Sequence, residues 1–168
     1  HLSTPLEAGF SGDDHIYMIS HKFSQRLWDI VPQEDGLDEE RATRIIEQLL
    51  MALAGLHDRG LEHGDVRSRN VHLISTENNG ETAWLIDAEI GLLTAWSEGE
   101  LLDENAMFYY PPEGKGKGNT PSKADLFALG LVATELLLGK QANPLRREAS
   151  EPLEIDVADS VASRLKDE

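Results

Sequence analysis

The sequence predicts an α+β domain, mainly helical, and three features carry that reading. The first is a helical repeat of apolar residues over 38–59. The second is an almost wholly apolar stretch over 122–138, too rich in leucine and valine to face water. The third is a pair of short apolar runs, 71–74 and 83–86, separated by Glu77-Asn78-Asn79-Gly80, which reads as a β-hairpin. The 168 residues, 40% of them apolar, suffice for one domain with a sizeable core.

Residues 1–23 read as two short strands around the turn Gly12-Asp13-Asp14, the second strand being His15 to Ile19. Ser24 is placed to cap a short helix carrying Leu27, Trp28, Ile30 and Val31. Pro32 and Gly36 bracket an acidic loop. In the long helix, Ala42, Ile45, Ile46, Leu49, Leu50, Leu53 and Leu56 recur in steps of three and four. Asp38 is its expected cap and Gly60 its expected stop. After the hairpin, residues 88–119 read as irregular. A helix over 122–138 follows, with Ser122 and Asp125 in an S-x-x-D capping pattern and Gly139 just past its end. Apolar nearly all round, it belongs in the middle of the domain. Residues 140–152 read as a polar loop, and a last helix covers 155–165.

Composition excludes several classes. There is no cysteine, so no disulfide and no thiolate chemistry. The net charge is −16, from 15 basic and 31 acidic side chains, the wrong balance for binding a nucleic-acid backbone. No apolar run reaches the length of a membrane span, and the first residues do not resemble a signal peptide. The chain begins with histidine rather than methionine, which reads as a piece of a longer polypeptide.

The densest polar cluster is His63-Gly64-Asp65-Val66-Arg67-Ser68-Arg69-Asn70, between a long helix and a strand. A loop so placed carries catalytic groups on a rigid support. Asp65 can take a proton from a hydroxyl, and Asn70 can offer an amide oxygen to a hard metal ion. Asp87 ends the second arm of the hairpin, which brings it back toward this loop. Two carboxylates and an amide suit Mg²⁺ with phosphate oxygens, and Arg67 can supply positive charge to a moving phosphoryl group. Taken alone, each of these residues is equally a loop residue bonding its own backbone. His57 and His63 lack zinc-site spacing, and His63 reads as a packed histidine bonded to nearby backbone. The glycine/lysine alternation at 114–118 lacks the Gly-Lys-Ser/Thr of a phosphate loop and reads as surface. Tyr109 and Tyr110 read as packing residues.

The order His63-x-Asp65-x4-Asn70, then Asp87, then Pro111-Pro112-Glu113, then Asp125-x4-Gly130 resembles a protein kinase catalytic domain over most of the chain. The resemblance implies a kinase large lobe preceded by the last strands of the small lobe. Residues 1–23 would be small-lobe strands and hinge, and 24–168 the large lobe of a single partial domain. It implies that Asp65 is the catalytic base and that Arg67 stands where serine/threonine kinases carry a lysine. Asn70 and Asp87 would be metal ligands. Ser20, His21, Phe23 and His72 would line the nucleotide site. His63, Glu113 and Asp125 would be structural, Asp125 holding the catalytic loop by its backbone amides. ATP and Mg²⁺ are the implied cofactors, a protein hydroxyl the implied acceptor, and the cytoplasm the implied location.

Departures from the family's pattern accompany these matches. The glycine-rich loop, the phosphate-binding lysine and its glutamate would lie upstream of residue 1, so the 168 residues alone are expected to be inactive. Gly64 replaces an arginine, Ala88-Glu89 replace Phe-Gly, and Ala106 stands where a threonine usually steadies the base. His72 stands where an apolar residue usually floors the adenine pocket. Arg67 favours serine/threonine specificity, whereas Arg69 resembles tyrosine-kinase usage. Two other readings remain. His63-Gly64-Asp65 and Ile86-Asp87-Ala88-Glu89 resemble aminoglycoside- or choline-type phosphotransferases, although Pro111-Pro112-Glu113 and the Asp125 helix do not. A catalytically inactive pseudokinase scaffold is the other.

Overall fold

The computed structural model describes residues 2–3, 6–12, 15–20, 22–23, 25–76, 80–88, 108–111 and 121–144. The helix expected at 155–165, the glycine/lysine stretch and the site candidates His21 and Glu113 lie outside these residues.

The first strands, β1 (Glu7–Ser11) and β2 (His15–Ile19), pair antiparallel with Gly9 opposite Tyr17. A second antiparallel sheet has the order β3-β4-β5, formed by Gln25–Arg26, Val71–Thr76 and Gly80–Leu85. Val71 faces Leu85 and Leu73 faces Ala83, so the hairpin's period-two pattern puts these four on one face. All four are buried. The opposite face carries His72 and Trp84, directly paired and half-buried. Ahead of β1, residues 2–3 run along β5, with an isolated parallel bridge between Leu2 and Leu85 and the Ser3 N–H donating to Leu85 O at 3.0 Å.

The short helix α1 (Leu27–Ile30) starts from Arg26, not from Ser24, and no side chain caps it. Four residues need no capping group when Leu27 is wholly buried and anchors them to the core. Helix α2 (Glu39–His57) does use the expected cap, the Arg41 N–H donating to Asp38 Oδ1 at 3.0 Å. At its far end Gly60 N–H returns to His57 O and Leu61 N–H to Leu56 O. Its buried stripe is Ala42, Ile45, Leu49, Ala52 and Leu53. The same helix clasps the edge of β5. Gln48 Oε1 accepts the Ala83 N–H at 2.6 Å, and Arg41 reaches Glu81 with two nitrogens, at 2.8 and 2.7 Å.

Helix α3 (Pro121–Leu138) runs through the core. Leu129 keeps 3% of its exposure, and Val132 and Leu136 keep none. Two sequence expectations change here. The helix begins at Pro121, so Ser122 lies inside it, and Asp125 points its carboxylate at a distant loop instead of capping. Nor is the helix sheltered all round. Leu126 is 48% exposed, while Asp125 and Glu135 are buried. The apolar residue faces water because the inward positions are taken by carboxylates with partners to hold.

Past α3 the backbone turns at Gly139, whose φ is +92°. Here the acidic loop of residues 32–37 lies directly on the helix end. Leu37 N–H donates to Leu136 O, Lys140 N–H to Pro32 O and Gln141 N–H to Gln33 O. The expected polar loop therefore begins with a 3-10 turn, Lys140–Ala142, and both Lys140 and Asn143 are buried.

Candidate active site

The loop leaving α2 is held from below by one carboxylate. Asp125 Oδ1 accepts the Gly64 N–H, and Oδ2 accepts the His63 N–H, both at 2.9 Å. His57 Nε2 adds a third contact at 2.8 Å. A carboxylate with 2% exposure survives in a core only with donors on its oxygens. Gly64 adopts φ +77°, a conformation that a residue with a Cβ resists.

The ring of His63 extends the anchoring upward. Its Nδ1 accepts the Asp65 N–H at 3.2 Å, which fixes the proton on Nε2, and Nε2 donates to Ile86 O at 2.9 Å. One buried neutral imidazole thus spans from the Asp65 backbone to the residue before Asp87. A second tie is made by Asn70, whose carbonyl accepts the Ile86 N–H at 2.9 Å.

Asn70 and Asp65 clasp each other. Asn70 Nδ2 donates to Asp65 Oδ2 at 2.7 Å and to Asp65 O at 2.9 Å. Arg67 Nη2 lies 3.1 Å from the same Oδ2. One carboxylate oxygen is therefore fixed from two sides, and Oδ1 is the one left to accept an incoming proton. Asp87 sits where the chain leaves the hairpin, at φ +66°. Aspartate tolerates this left-handed conformation better than most residues, but it still costs about 1–3 kcal/mol.

The structure brings His63, Asp65, Arg67, Asn70 and Asp125 into one hydrogen-bonded unit, with Asp87 attached through Ile86. Of the nucleotide candidates, Ser20 is exposed at the end of β2. Phe23 packs on His72 with ring centroids 4.9 Å apart and on Trp84 at 6.4 Å. His72 Nδ1 is buried without a hydrogen-bond partner. Burial lowers the His72 pKa, and the nearby Arg26 charge acts in the same direction. Tyr110 stands close enough to the loop to feel both Asp65 and Arg67. Burial raises its pKa first, Asp65 adds to that, and Arg67 opposes it.

The donors available to a cation are hard oxygens. Asn70 turns its amide nitrogen to Asp65, which leaves Oδ1 for a metal, and Asp87 supplies a carboxylate. Among the described residues no group of three or more His, Cys, Asp or Glu side chains is arranged around a point. A set this small fits magnesium, which takes one or two carboxylates and fills its shell with phosphate and water.

One cluster escaped the sequence reading. Glu135, wholly buried, accepts from Ser68 Oγ at 2.8 Å, Tyr109 OH at 2.8 Å and Asn143 Nδ2 at 2.9 Å. It ties the loop to residue 109 and to the end of α3. A lone glutamate inside an apolar helical run was the available signal, since a buried carboxylate demands several donors.

The sequence profile of the protein kinase domain matches residues 5–165. The chain belongs to the protein kinase domain family. It is 27% identical over 175 residues to the serine/threonine-protein kinase pkn2 of Myxococcus xanthus, covering 95% of this chain and 20% of that protein. It is 28% identical over 134 residues to the serine/threonine-protein kinase PrkC of Bacillus subtilis, covering 76% of this chain and 20% of PrkC. With the probable serine/threonine-protein kinase PknB of Lactococcus lactis it shares 30% identity over 114 residues, 66% of this chain and 17% of the relative. The chain thus spans about a fifth of the length of these curated relatives. Kinase domains of this family use ATP and Mg²⁺. Among the described residues no helix is long and apolar enough to cross a membrane.

Proposed function

We propose that this kinase-family chain contributes the floor of an ATP-dependent site that phosphorylates serine or threonine hydroxyls of a protein. The observation that carries the reading is the clasp of Asp65 by Asn70 and Arg67 on a loop hung from Asp125. In this reading residues 1–23 are the last small-lobe strands and hinge, and 24–168 the large lobe. Asp65 Oδ1 takes the proton of the acceptor hydroxyl as it attacks. Arg67, already on Oδ2, orients the carboxylate and brings positive charge toward the transferred group. Asn70 Oδ1 and the Asp87 carboxylate hold Mg²⁺, which when bound neutralises charge on the phosphate oxygens. Phe23 and His72 offer apolar and aromatic surface to the adenine, with Ser20 and His21 on the hinge beside it. ATP as donor carries a cytoplasmic location with it.

The test is a pair of substitutions in the full-length protein. Asp65→Asn should lower kcat by about 10²–10⁴-fold, the usual worth of a general base, while Mg-ATP binding changes little. Asp87→Asn should instead weaken Mg-ATP binding. Unchanged turnover in Asp65→Asn removes the base from the mechanism. A wild type that neither binds ATP nor transfers phosphate makes the chain a scaffold, and transfer to small aminoalcohols in place of protein makes it a small-molecule phosphotransferase.

A further inference from the structure

One helix grips the catalytic loop at two places. Asp125 of α3 holds its entry, at the N–H groups of His63 and Gly64. About 15 Å further along the helix axis, by the rise of an α-helix, Glu135 holds its exit at Ser68. Ser68 is 1% exposed and Glu135 wholly buried. Ser68 Oγ donates to Glu135 Oε2 at 2.8 Å, and the Tyr109 OH donates to the same oxygen at 2.9 Å. The two hydroxyl oxygens lie 2.9 Å apart. From the far side, Asn143 Nδ2 donates to Oε1 at 2.9 Å. The loop, residue 109 and the chain after α3 therefore meet on one carboxylate. Hydrogen bonds to a carboxylate are short and strong, and a surrounding of low polarity strengthens them further.

Ser68 bears on the site through its neighbours. It opens the 3-10 turn Ser68–Asn70, in which the Asn70 N–H donates to Arg67 O at 2.9 Å. Arg67, directly before it, has extended backbone and lays Nη2 3.1 Å from Asp65 Oδ2. Asn70, the other group on that oxygen, has a second hold, since its carbonyl accepts the Ile86 N–H at 2.9 Å. The direction of Arg67 is set by the residues on either side of it. Val66 is packed in the apolar core, and such packing has no preferred direction. Ser68 is hydrogen-bonded, and a hydrogen bond fixes direction as well as distance.

We propose that Ser68 is a positioning residue, whose hydroxyl on Glu135 aims Arg67 at Asp65 and at the transferred phosphoryl group. The inference rests on the reading of this chain as the floor of a kinase site. Buried as it is, Ser68 acts through Arg67 and not on the substrate.

The test is a double-substitution cycle in the full-length protein. A serine peptide gives kcat and KM, and Mg-ATP binding is measured separately. Ser68→Ala removes the hydroxyl while Tyr109 and Asn143 still bond Glu135, so the buried carboxylate keeps donors. The kcat should fall by about ten- to a hundredfold, the effect of a small misplacement of a catalytic group, while Mg-ATP binding and the peptide KM change little. In Arg67→Gln protein, already slow, the same Ser68→Ala change should lower kcat by about twofold or less, because residues that act as a unit are not additive. A role in stability alone would lower kcat by the same factor with and without Arg67, and that result overturns the proposal. Wild-type kcat in Ser68→Ala overturns it too. If Ser68→Ala fails to fold, Tyr109→Phe loosens the same junction and is compared in the same two backgrounds, with the same non-additive result expected. An active wild type with additive losses defeats the positioning role and keeps the kinase. A wild type without phosphate transfer defeats the kinase reading and this role with it.

Discussion

The buried carboxylate of Asp125 accepts the backbone N–H of His63 at 2.9 Å across 62 residues of chain. The same side chain takes the Gly64 N–H and His57 Nε2, so one residue of α3 sets the height of the whole loop. Asp125→Ala leaves three donors without a partner in the core. The expected loss is about 3–5 kcal/mol, in the range seen when one member of a buried charged contact is removed. Thermal or urea unfolding measures it, and kcat should fall with it because Asp65 loses its support. An unfolding midpoint within a degree of wild type would show that the loop holds itself.

Leu129 and Leu126 make a matched pair on α3, at 3% and 48% exposure. Leu129→Ala should open a cavity and cost about 2–5 kcal/mol. Leu126→Ala should stay within about 0.5 kcal/mol, as surface substitutions do. Urea midpoints at constant m-value compare the two. Equal losses would mean that the helix buries a different face from the one described.

Periodicity made α2, the hairpin and α3 legible in the sequence, because a core-facing stripe must repeat with the element that carries it. The order of the polar motifs made Asp65, Asn70, Asp87 and Asp125 legible as a set. Capping was less legible. Ser122 and Asp125 match a local pattern, but Asp125 is spent on amides 61 and 62 residues away, a long-range use that no local rule reports. Glu135 was hidden for the same reason, its partners Ser68, Tyr109 and Asn143 being scattered over three segments. The stacking of Arg69 and Lys140 on Trp28 likewise joins residues that are neighbours only after folding.

Two glycines of the α3 region should respond in opposite senses to the same substitution. A Cβ on Gly139 would lie 2.5 Å from Gln33 O and 2.7 Å from Glu34 Cα, at a φ of +92°. Both obstacles are backbone, so nothing flexible can yield. Gly139→Ala should cost about 1–3 kcal/mol in strain and a similar amount in overpacking. Gly130 is exposed within the helix, and a Cβ added there would meet nothing within 4 Å. Gly130→Ala should stabilise by about 0.4–1 kcal/mol through a less flexible unfolded chain. Stabilisation by Gly139→Ala would contradict the packing of residues 33–34 on the helix end.

Tyr110 sets an alkaline limit on stability. Its folded pKa lies above the ordinary 10.0, chiefly through burial and then through Asp65. The unfolded chain therefore releases this proton first as pH rises. The contribution is whole below pH 10.0 and is lost as pH climbs from there through the folded pKa. Tyr110→Phe should remove this part of the alkaline decline and leave the neutral range almost unchanged. Identical alkaline profiles for the two proteins would place the phenol in water, away from the loop.

His72 is the residue most at odds with its position. Its Nδ1 is buried without a partner, beside Phe23 and opposite Trp84 on the sheet face away from the core. An unsatisfied buried polar atom costs about 1–3 kcal/mol, and leucine fills a similar volume without that cost. His72→Leu should therefore stabilise by about 1 kcal/mol after the loss of ring contact with Phe23, read as a higher urea midpoint at constant m-value. If the face beneath Phe23 is also the adenine floor, the same variant should bind ATP at least as tightly as wild type. A lowered midpoint would mean that Nδ1 is satisfied in solution, by water entering from the nucleotide side. A raised midpoint with weakened ATP binding would mean that the imidazole itself touches the nucleotide.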